Sequence, residues 1–576
     1  WRRLQRWRRR FAQLWSWKKI ETFYYFKNMK RVKIILPALR GLMTIPAMAQ
    51  ETYQDAKLAE TALTGTARYV GMGGAMEALG ADLSTISTNP AGIGMFRKSQ
   101  AALSAGVLAQ SSADKNFTFD GTNAYIDGKN SKVSFDQIGF VWSMAHRNQT
   151  YVNLAFNFHK STDFMQILTA TSMLNGASQS KLAANKTDYS NYIDTRYDGY
   201  IRNAGDLIWN GVDENYHKLM GKDENNLQNF YDGRSFLFGQ YQHGYIGVYD
   251  FNISGSIKNR VWWGVTLGLH DVNYHSDSYY TENFVAEKEA YGESRESLKI
   301  DGTGFDVKAG VIFRPVESSP FRIGVYVNSP VFYDLTMKGT ADLDLTDKNI
   351  VNDQGQYATG HNSSYVGYDY RLNTPWKAGL SLGHTIGNYF ALGATYEYAW
   401  YNHMDNRIKD GGYYDGWDYY ESSSSDKPMN DHTKATLNGV STLKLGMEYK
   451  PIPMLAVRVG YNYVSALYKE DGVRDQTLMC SYDADGNTGV NMATSTDYTN
   501  WKAINRFTLG LGFNYKKMFL DLAYQYSAQD GDFYPFMSSK NFGTKEGFTP
   551  AISNEVSATK VSNNRHQLLM TLGYKF

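Results

Sequence analysis

The feature that most constrains this chain is an alternation of apolar and polar residues with a period of two. In residues 507–515, Phe, Leu, Leu, Phe and Tyr occupy one face, and Thr, Gly, Gly and Asn occupy the other. The same pattern recurs in residues 390–398, 443–449 and 455–463. Successive side chains of a strand point to opposite faces of the sheet. The second face carries ions such as Lys444, Glu448 and Arg458, so it cannot be the dry core of a sandwich. The pattern predicts strands with one apolar face and one hydrated face.

The pattern predicts 14 strands with connections of two kinds. The predicted strands are residues 99–112, 131–146, 149–165, 242–257, 260–278, 298–314, 320–342, 365–385, 388–403, 434–450, 453–469, 504–516, 518–534 and 563–576. Short connections, such as 258–259, 386–387 and 516–517, alternate strictly with long polar ones. An even strand number with short turns at one end and long loops at the other is typical of an outer-membrane β-barrel. A soluble sandwich, the alternative, has no reason to separate its loops by length. The expected fold is therefore all-β, a 14-stranded antiparallel transmembrane barrel.

Composition agrees with this prediction and excludes other classes. The chain has 44 Tyr, 52 Gly and 12 Pro, a usage that favours strands with aromatic girdles. Its single Cys excludes a disulfide framework and a Cys-based metal site. Residues 1–50 hold 13 Lys and Arg against one acid, Glu21, so the net charge of +2 for the whole chain leaves −10 for the rest. That acidic remainder argues against nucleic acid as a partner.

The first 50 residues carry signals for export rather than for folding. Residues 1–28 show no apolar periodicity, and we interpret them as translated upstream sequence. From Met29 a basic region is followed by an apolar region, Ile34 to Ile45, and by the small-residue pattern Ala47-Met48-Ala49. This arrangement predicts a signal peptide over residues 29–50, cleaved near Ala49 or Gln50. An amphipathic membrane-surface arm is the alternative.

Residues 51–97, between the signal peptide and the first strand, are rich in glycine. They include Met72-Gly73-Gly74-Ala75 and Asn89-Pro90-Ala91-Gly92. No strand precedes the glycine run and no Gly-Lys-Ser/Thr follows it, so a phosphate-binding loop is not expected. Glycines allow close backbone packing, and an Asn-Pro step fixes a turn. The segment therefore suggests a compact plug that leads into the barrel wall, residues 98–576.

The pattern from Gly65 to Gly94 resembles the N-terminal hatch of the FadL-type outer-membrane transporters of long-chain fatty acids and other hydrophobic compounds. The resemblance implies a 14-stranded barrel closed by a hatch. It also implies that a hydrophobic ligand binds an external groove, moves to an inner site and leaves sideways beside a kinked third strand. The third predicted strand, Thr150 to Met165, contains no Gly or Pro that would mark such a kink. The residues carried over as hatch or gating residues are Gly71, Gly73, Gly74, Asn89, Pro90, Ala91 and Gly92.

The last strand carries a second resemblance. Leu568, Met570, Leu572, Tyr574 and Phe576 share one face and end the chain on an aromatic residue. This resembles the C-terminal signal by which the barrel assembly machinery recognises bacterial outer-membrane proteins, with Leu572, Tyr574 and Phe576 as its residues. An ordinary C-terminal edge strand is the alternative.

Residues 166–241 are predicted to form a large external loop that is partly helical. Its apolar residues fit helical faces, and they suggest an initial ligand groove built from Leu168, Met173, Leu174, Leu207, Ile208 and Trp209. Helices that pack on each other would need the same residues, so this alternative stays open.

These features together predict an outer-membrane protein that imports hydrophobic small molecules, long-chain fatty acids or similar, by passive hatch-gated diffusion. The expected partners are that ligand, outer-membrane lipid with lipopolysaccharide, and the assembly machinery. We expect no enzymatic activity, because no nucleophile elbow or other ordered catalytic motif is present, and no cofactor or metal. The alternatives are a haemin or porphyrin receptor on the same fold and, less favoured, a surface adhesin, a structural porin or a lipid-modifying barrel enzyme.

Overall fold

The computed structural model describes residues 52–576 apart from a few short gaps. The gaps are residues 146–149, 197–211, 213–215, 217–229, 352–354, 415, 418, 478–494 and 543–546. The predicted upstream segment and signal peptide, residues 1–50, lie outside the described residues.

Strands make up most of the described chain. They are β1 (Gln100–Gln110), β2 (Asn116–Phe119), β3 (Thr122–Tyr125), β4 (Ser131–Ala145), β5 (Tyr151–Asp163), β6 (Gln166–Gly176), β7 (Gly233–Ile257), β8 (Val261–Phe284), β9 (Ala290–Phe313), β10 (Arg322–Asn328), β11 (Phe332–Val351), β12 (Tyr357–Asn373), β13 (Lys377–Ile386), β14 (Phe390–Ala399), β15 (Asp405–Tyr414), β16 (Tyr419–Ser425), β17 (Val440–Ile452), β18 (Leu455–Val464), β19 (Tyr498–Tyr515), β20 (Met518–Tyr534), β21 (Thr559–Ser562) and β22 (Arg565–Lys575).

Helices are few and short. The α-helices are α1 (Thr52–Ala59), α2 (Ala67–Gly71), α3 (Gln179–Arg196) and α4 (Lys427–Thr436). The 3-10 helices are Leu83–Ser87, Pro90–Met95, Tyr401–His403 and Ser539–Asn541. Among the described helices, none is long and apolar enough to cross a membrane.

Fourteen strands close into an antiparallel barrel, as the sequence predicts. Their order around the wall is β1, β4, β5, β7, β8, β9, β10, β13, β14, β17, β18, β19, β20 and β22. The barrel closes between β1 and β22, where Ala101 faces Tyr574 and the backbone N–H of Phe576 donates to Ser99 O at 2.9 Å. A closed barrel has no free edge and pairs its backbone groups between strands, which is what a membrane requires of a β-structure.

The outer surface of the wall carries the apolar face predicted from the alternation. Leu509 and Leu511 on β19, with Val459 on β18 and Leu445 on β17, project outward and are exposed. Their neighbours Lys444, Glu448 and Arg458 point inward and are buried. An apolar outer belt around a polar lumen is the arrangement of a transmembrane barrel.

Several strands continue beyond the length that a membrane needs. A tilted strand crosses with about 9–11 residues, whereas β7 has 25 residues and β8 and β9 have 24 each. The pieces β6, β11, β12, β15, β16 and β21 extend the wall at the same end, the one with the long connections. By the loop-length rule this end is external.

An apolar cluster covers the external mouth. Leu174, Leu182, Phe236, Phe533 and Phe536 are members of this cluster, which we call the cap. Helix α3 contributes Leu182 and Tyr189 to it. Side chains from β6, β7, β20 and α3 therefore pack together at the mouth.

The predicted helical face around Leu168 is wrong. Leu168, Met173 and Leu174 lie on β6, which pairs with β7 through Gln166↔Gln242 to Gly176↔Gly233. A short apolar run is compatible with either a strand or a helix. Here, hydrogen-bonded pairing with the neighbouring strand makes it a strand. The helical part of this region is α3, and Leu207, Ile208 and Trp209 lie outside the described residues.

The predicted strand 434–450 also needs correction at its start. Residues up to Thr436 belong to α4, whose first turn is capped by Asp426: its side chain accepts from Met429 N at 3.2 Å. Strand β17 begins only at Val440. An Asp cap followed by Lys-Pro is a helix-start signal that the period-two reading of this segment did not use.

Candidate functional site: the hatch and the luminal cavities

Residues 52–97 lie inside the barrel, and most of them are buried. Three side chains cap the short helices of this segment: Thr66 accepts from Tyr69 N, Asp82 from Ser84 N and Asn89 from Ala91 N. These caps satisfy backbone donors that water would satisfy elsewhere. The hatch is thus a compact unit held in fixed turns.

The hatch backbone lies directly against glycines of the wall. A Cβ added to Gly393 would overlap Ala75 O, and one added to Gly446 or Gly460 would overlap the backbone of Met72 or Gly73. Gly264 and Gly383 also lie against hatch backbone, Gly510 lies close to Gly71, and Gly310 lies against the side chain of Asn89. We call these residues the glycine collar. Only a strand without side chains at these points leaves room for the hatch backbone.

Buried ion pairs join the hatch to the wall. Glu77 of the hatch is fully buried and accepts from Lys444 Nζ at 2.9 Å. Arg68 contacts Glu448 at 3.1 Å, and Arg458 lies between Glu448 at 2.7 Å and Asp521 at 2.6 Å. Wall side chains also donate to hatch carbonyls, as Asn153 does to Ile93 O at 2.7 Å. Buried charges are tolerated when they are paired in this way.

The structure brings the sequence-derived hatch residues together at the hatch–wall contact. Gly71, Gly73 and Gly74 follow or end α2, and Gly73 and Gly74 have φ of 62° and 81°. Such positive φ values favour glycine. Asn89 is fully buried, and its amide donates to Glu77 O at 3.0 Å. Pro90, Ala91 and Gly92 begin the 3-10 helix that Asn89 caps.

Two cavities lie in the lumen above the hatch and meet at residues 60–62. The first, of about 180 Å³, has apolar lining from Leu58, Ile246 and Val331. The second, of about 150 Å³, is lined by Phe164 and Leu168, among others. Glu60, Arg506 and Gln529 line both cavities. Of the predicted groove residues, Leu168 therefore reaches a cavity, Leu174 is buried in the cap, and Met173 is exposed.

Helix α1 runs from the external mouth toward the hatch and separates the two cavities. At its start, Thr52 Oγ1 is 2.8 Å from His432 Nδ1 of α4, and Tyr53 donates to Asn500 at 2.8 Å. At its end, Tyr401 donates to Ala59 O at 3.0 Å. The N-terminal segment thus spans the lumen above the hatch.

Three cations share the lining of the second cavity with the Glu60 carboxylate: Lys57, Arg506 and Arg565. Each of them acts electrostatically on Glu60. In the described part of the chain, their hydrogen bonds go to neutral groups: Lys57 to Gln166 at 2.8 Å, Arg506 to Asn462 at 2.8 Å, and Arg565 to Met165 O at 2.6 Å. Burial lowers the pKa of Lys57 to about 8, and burial also raises the pKa of Glu60. The cluster has more positive than negative charge and suits an anionic group.

The third wall strand separates from the second near the external side. Pairing of β4 with β5 ends at Gln137↔His159. Above that point, polar groups cross the gap: Lys132 pairs with Asp163 at 2.7 Å, and Lys160 donates to Ser134 at 3.0 Å. The strand itself is interrupted at residues 164–165, between β5 and β6. This interruption carries no Gly or Pro, which is why the sequence did not reveal it.

The sequence reasoning missed the residues that line the cavities. Lys57, Glu60 and Glu77 belong to a segment interpreted from its glycines and its Asn-Pro step, and Arg506 lies in the middle of β19. The alternation places Arg506 on the inward face of its strand, so the sequence could have identified it as a luminal residue. Nothing in the neighbouring sequence indicates that it lies near α1. Among the described residues, no group of three or more His, Cys, Asp or Glu could hold a metal ion.

Fold and site together define a transmembrane β-barrel whose lumen is closed by an N-terminal hatch. No family model matches the chain, and no curated protein matches it in sequence. Among solved structures, it is similar to a Pseudomonas aeruginosa FadL homologue, at 11% identity and a TM-score of 0.44, covering 90% of this chain and 99% of that one. The toluene transporter TodX of P. putida has 11% identity and a TM-score of 0.42, covering 89% of this chain and 99% of that one. The toluene transporter TbuX of Ralstonia pickettii has 11% identity and a TM-score of 0.43, with the same coverage.

Proposed function

We propose that this protein carries hydrophobic molecules with an acidic headgroup, such as long-chain fatty acids, across the bacterial outer membrane by passive diffusion. The single observation that supports this most is the meeting point of the two luminal cavities, where apolar walls adjoin a group of cations with one carboxylate. An apolar chain and a carboxylate head need these two environments side by side.

The apolar part of the ligand has surfaces on both sides of the cation group. Leu58, Ile246 and Val248 line the first cavity, and Phe164 and Tyr274 line the second. Burial of apolar surface stabilises binding by about 25 cal/mol per Å². A chain that lies along these walls gains this energy. Charged side chains, among them Lys308, Glu397 and Lys444, line other parts of the first cavity.

The acidic head of the ligand would face Arg506, Lys57 and Arg565. Arginine binds carboxylates through two parallel N–H donors, and charge-assisted hydrogen bonds are stronger than neutral ones. A bound carboxylate would also balance the excess positive charge around Glu60. A neutral hydrocarbon would leave that charge uncompensated.

We further propose that the hatch residues act as the gate at the periplasmic end. The hatch fills the lower lumen, and Asn89 ties the start of its last helix to Glu77 O. Passive passage therefore depends on small shifts of residues 71–74 and 89–92 or on a route sideways through the wall. Outer-membrane location follows from the barrel and its apolar belt in this proposal.

Equilibrium binding to Arg506 variants tests this function. We expect Arg506→Gln to weaken binding of a long-chain fatty acid by about ten- to a hundredfold, since one charge-assisted hydrogen bond is worth about 1.5–3 kcal/mol. Binding of the methyl ester of the same acid should change by less than about twofold, because the ester carries no charge for the guanidinium to compensate. Arg506→Lys is the matched control and should retain most of the affinity for the acid. Equal losses for acid and ester would contradict a headgroup role for Arg506.

A further inference from the structure

Two histidines face each other on the external part of the wall. His243 on β7 and His275 on β8 are direct partners in the strand register. Gln242 and Tyr274, the residues that precede them, line the second luminal cavity. Because successive side chains of a strand point to opposite faces, the two imidazoles lie on the outer surface of the barrel.

This histidine pair, His243 with His275, lies beyond the apolar belt. On β8 the last large apolar side chain exposed on the outer surface is Leu269, and the next outward residue, Asp271, is exposed and charged. His275 comes further along the same face of β8. Both imidazoles are half-buried. The pair is therefore accessible from the external medium rather than from lipid.

The two imidazole rings stack on each other. Their centroids are 4.9 Å apart, and their planes differ by 10°. The ring of Tyr241 also packs against His243, with the centroids 5.2 Å apart. Residues directly opposite on neighbouring strands have Cβ atoms about 4.5–5.5 Å apart. The backbone thus holds two imidazoles side by side, and small side-chain rotations bring one nitrogen of each toward a common point.

The ring nitrogens of the pair are available as ligands. Within the described residues, neither His243 nor His275 has a hydrogen-bond partner, whereas His432 contacts Thr52 at 2.8 Å and His361 contacts Asp344 at 2.7 Å. Burial lowers the pKa of both imidazoles of the pair. The neutral form, which carries the lone pair that a metal needs, therefore dominates at neutral pH.

The charges near the pair favour a bound cation. Asp277, on the same face of β8, acts electrostatically on both imidazoles. In the part of the chain that the structure describes, Asp277 has no ion pair, and its Oδ1 accepts from Ser297 at 2.8 Å. The two lysines that act on the pair have carboxylate partners of their own, in the ion pairs Lys299–Asp301 and Lys132–Asp163.

A divalent transition metal fits this arrangement better than a hard cation. Imidazole suits Zn²⁺, Cu²⁺ and Ni²⁺, whereas Mg²⁺ and Ca²⁺ prefer oxygen ligands. The described residues offer no group of three or more such ligands, so water would occupy the remaining positions around the ion. The sequence analysis expects no metal, because only the register of β7 with β8 joins these two distant histidines.

We propose that His243 and His275 form a binding site for a divalent transition metal such as Zn²⁺ on the external surface of the barrel. The bound ion joins β7 to β8 next to Gly244, whose φ of 111° departs from regular strand backbone. It stabilises the strands where they extend beyond the membrane. The site is separate from the luminal cavities, and it does not depend on the proposed transport function.

Zinc binding to histidine variants tests this site. The full mature chain is purified without a histidine tag and with Cys480→Ser, which removes the one thiol of the chain. Equilibrium dialysis measures Zn²⁺ binding to this parent protein and to its His243→Gln and His275→Gln variants. His361→Gln is the matched control, because His361 is an exposed external histidine that also contacts a carboxylate, Asp344.

The parent protein should bind one Zn²⁺ per chain at its tightest site. Each variant of the pair should weaken this binding more than about tenfold, since even changes behind the metal ligands cost about 10–100-fold in affinity. His361→Gln should bind like the parent protein. Unchanged binding in either variant of the pair, or an equal loss in His361→Gln, would overturn the proposal.

Two further measurements on the parent protein need no histidine substitution. Zn²⁺ at about a hundred times its dissociation constant should slow hydrogen exchange of the amides around Gly244 by up to about a hundredfold. Electron paramagnetic resonance of one equivalent of bound Cu²⁺ should show two nitrogen ligands. Exchange that Zn²⁺ leaves unchanged, or a Cu²⁺ spectrum with fewer than two nitrogen ligands, would contradict the site.

Discussion

At the residue scale, the glycine collar decides how tightly the hatch can seat in the wall. Gly393 and Gly460 have no alternative to glycine as long as Ala75 and Gly73 keep their positions. The lumen-facing polar positions of the alternation were visible in the sequence. The need for glycine at these positions was not visible, because it comes from a segment more than 300 residues away in the chain.

Gly460→Ala should therefore destabilise the docked hatch by about 1–3 kcal/mol, the usual cost of forcing an extra methyl group into a packed site. Protease sensitivity of the hatch, measured against temperature in the folded barrel, reports this loss. Gly367→Ala on β12 is the matched control, because its Cβ would meet only the exposed side chain of Tyr365. Equal resistance of the hatch to protease in both variants would mean that the glycine collar does not hold the hatch in place.

The pair Glu77–Lys444 gives a second prediction at this scale. Among the described residues, Lys444→Met leaves the fully buried Glu77 carboxylate with two hydrogen-bond donors, Tyr69 at 2.9 Å and Thr395 at 2.8 Å. Removing one partner of a buried ion pair costs about 3–5 kcal/mol. The double variant Lys444→Met with Glu77→Gln should regain much of this energy, because position 77 then carries no charge. Glu397, which Lys444 also contacts at 3.8 Å, keeps its hydrogen bond from Tyr326 at 2.6 Å. A double variant as unstable as Lys444→Met alone, in thermal unfolding of the barrel, would contradict this reading.

At the scale of elements, the cap depends on a buried carboxyl at the start of α3. Glu282 accepts from Gln179 N at 3.1 Å and from Tyr280 OH at 2.5 Å, and its other oxygen is buried with no hydrogen bond from the residues that the structure describes. Burial raises the pKa of Glu282 from 4.5 to about 7. The closed cap therefore binds the proton more tightly than an opened cap, in which the carboxyl is solvated.

The sign of the pH effect follows from this shift. The cap should be most stable below about pH 4.5 and should lose about 3 kcal/mol as the pH rises to about 7, with no further change above. Hydrogen exchange of α3 amides at pH 5 and pH 8, corrected for intrinsic rates, measures this change. Glu282→Gln should remove most of the dependence, whereas Glu287→Gln, at an exposed position of the β8–β9 turn, should retain it. Burial also raises the pKa of Asp188 on α3, which accounts for the remainder. A cap with the same protection at both pH values would contradict the assignment.

The elements also show what the sequence could and could not predict. The periplasmic ends of strands with a clean alternation, such as β17 to β19, were placed to within two residues, because membrane and lumen impose opposite polarity on the two faces. Their external ends were misplaced by five or six residues. The external region was predicted less well, because β6 and α3 are surrounded by protein on several sides. Their sequences therefore do not show the same alternation of apolar and polar residues. The interruption at residues 164–165 and the register that places His243 opposite His275 depend on strand pairing, which no local pattern encodes.

At the scale of the whole molecule, the hatch seals a lumen that would otherwise be hydrated. Deletion of residues 51–90 would expose Lys444, Glu448 and Arg458 to water and remove the pairs that they make with Glu77 and Arg68. We expect raised ion conductance in planar bilayers and entry of small polar solutes. Unchanged conductance of the deletion variant would show that the cap, rather than the hatch, closes the barrel.

The central claim is that this barrel carries a hydrophobic acid through a sealed lumen instead of acting as an aqueous pore. Uptake by proteoliposomes that contain the full barrel tests it most directly, with a labelled long-chain fatty acid and labelled sucrose supplied together. The account predicts that the fatty acid enters faster than into protein-free liposomes, while sucrose stays outside. Sucrose entry, with fatty acid uptake no faster than in protein-free liposomes, would contradict it.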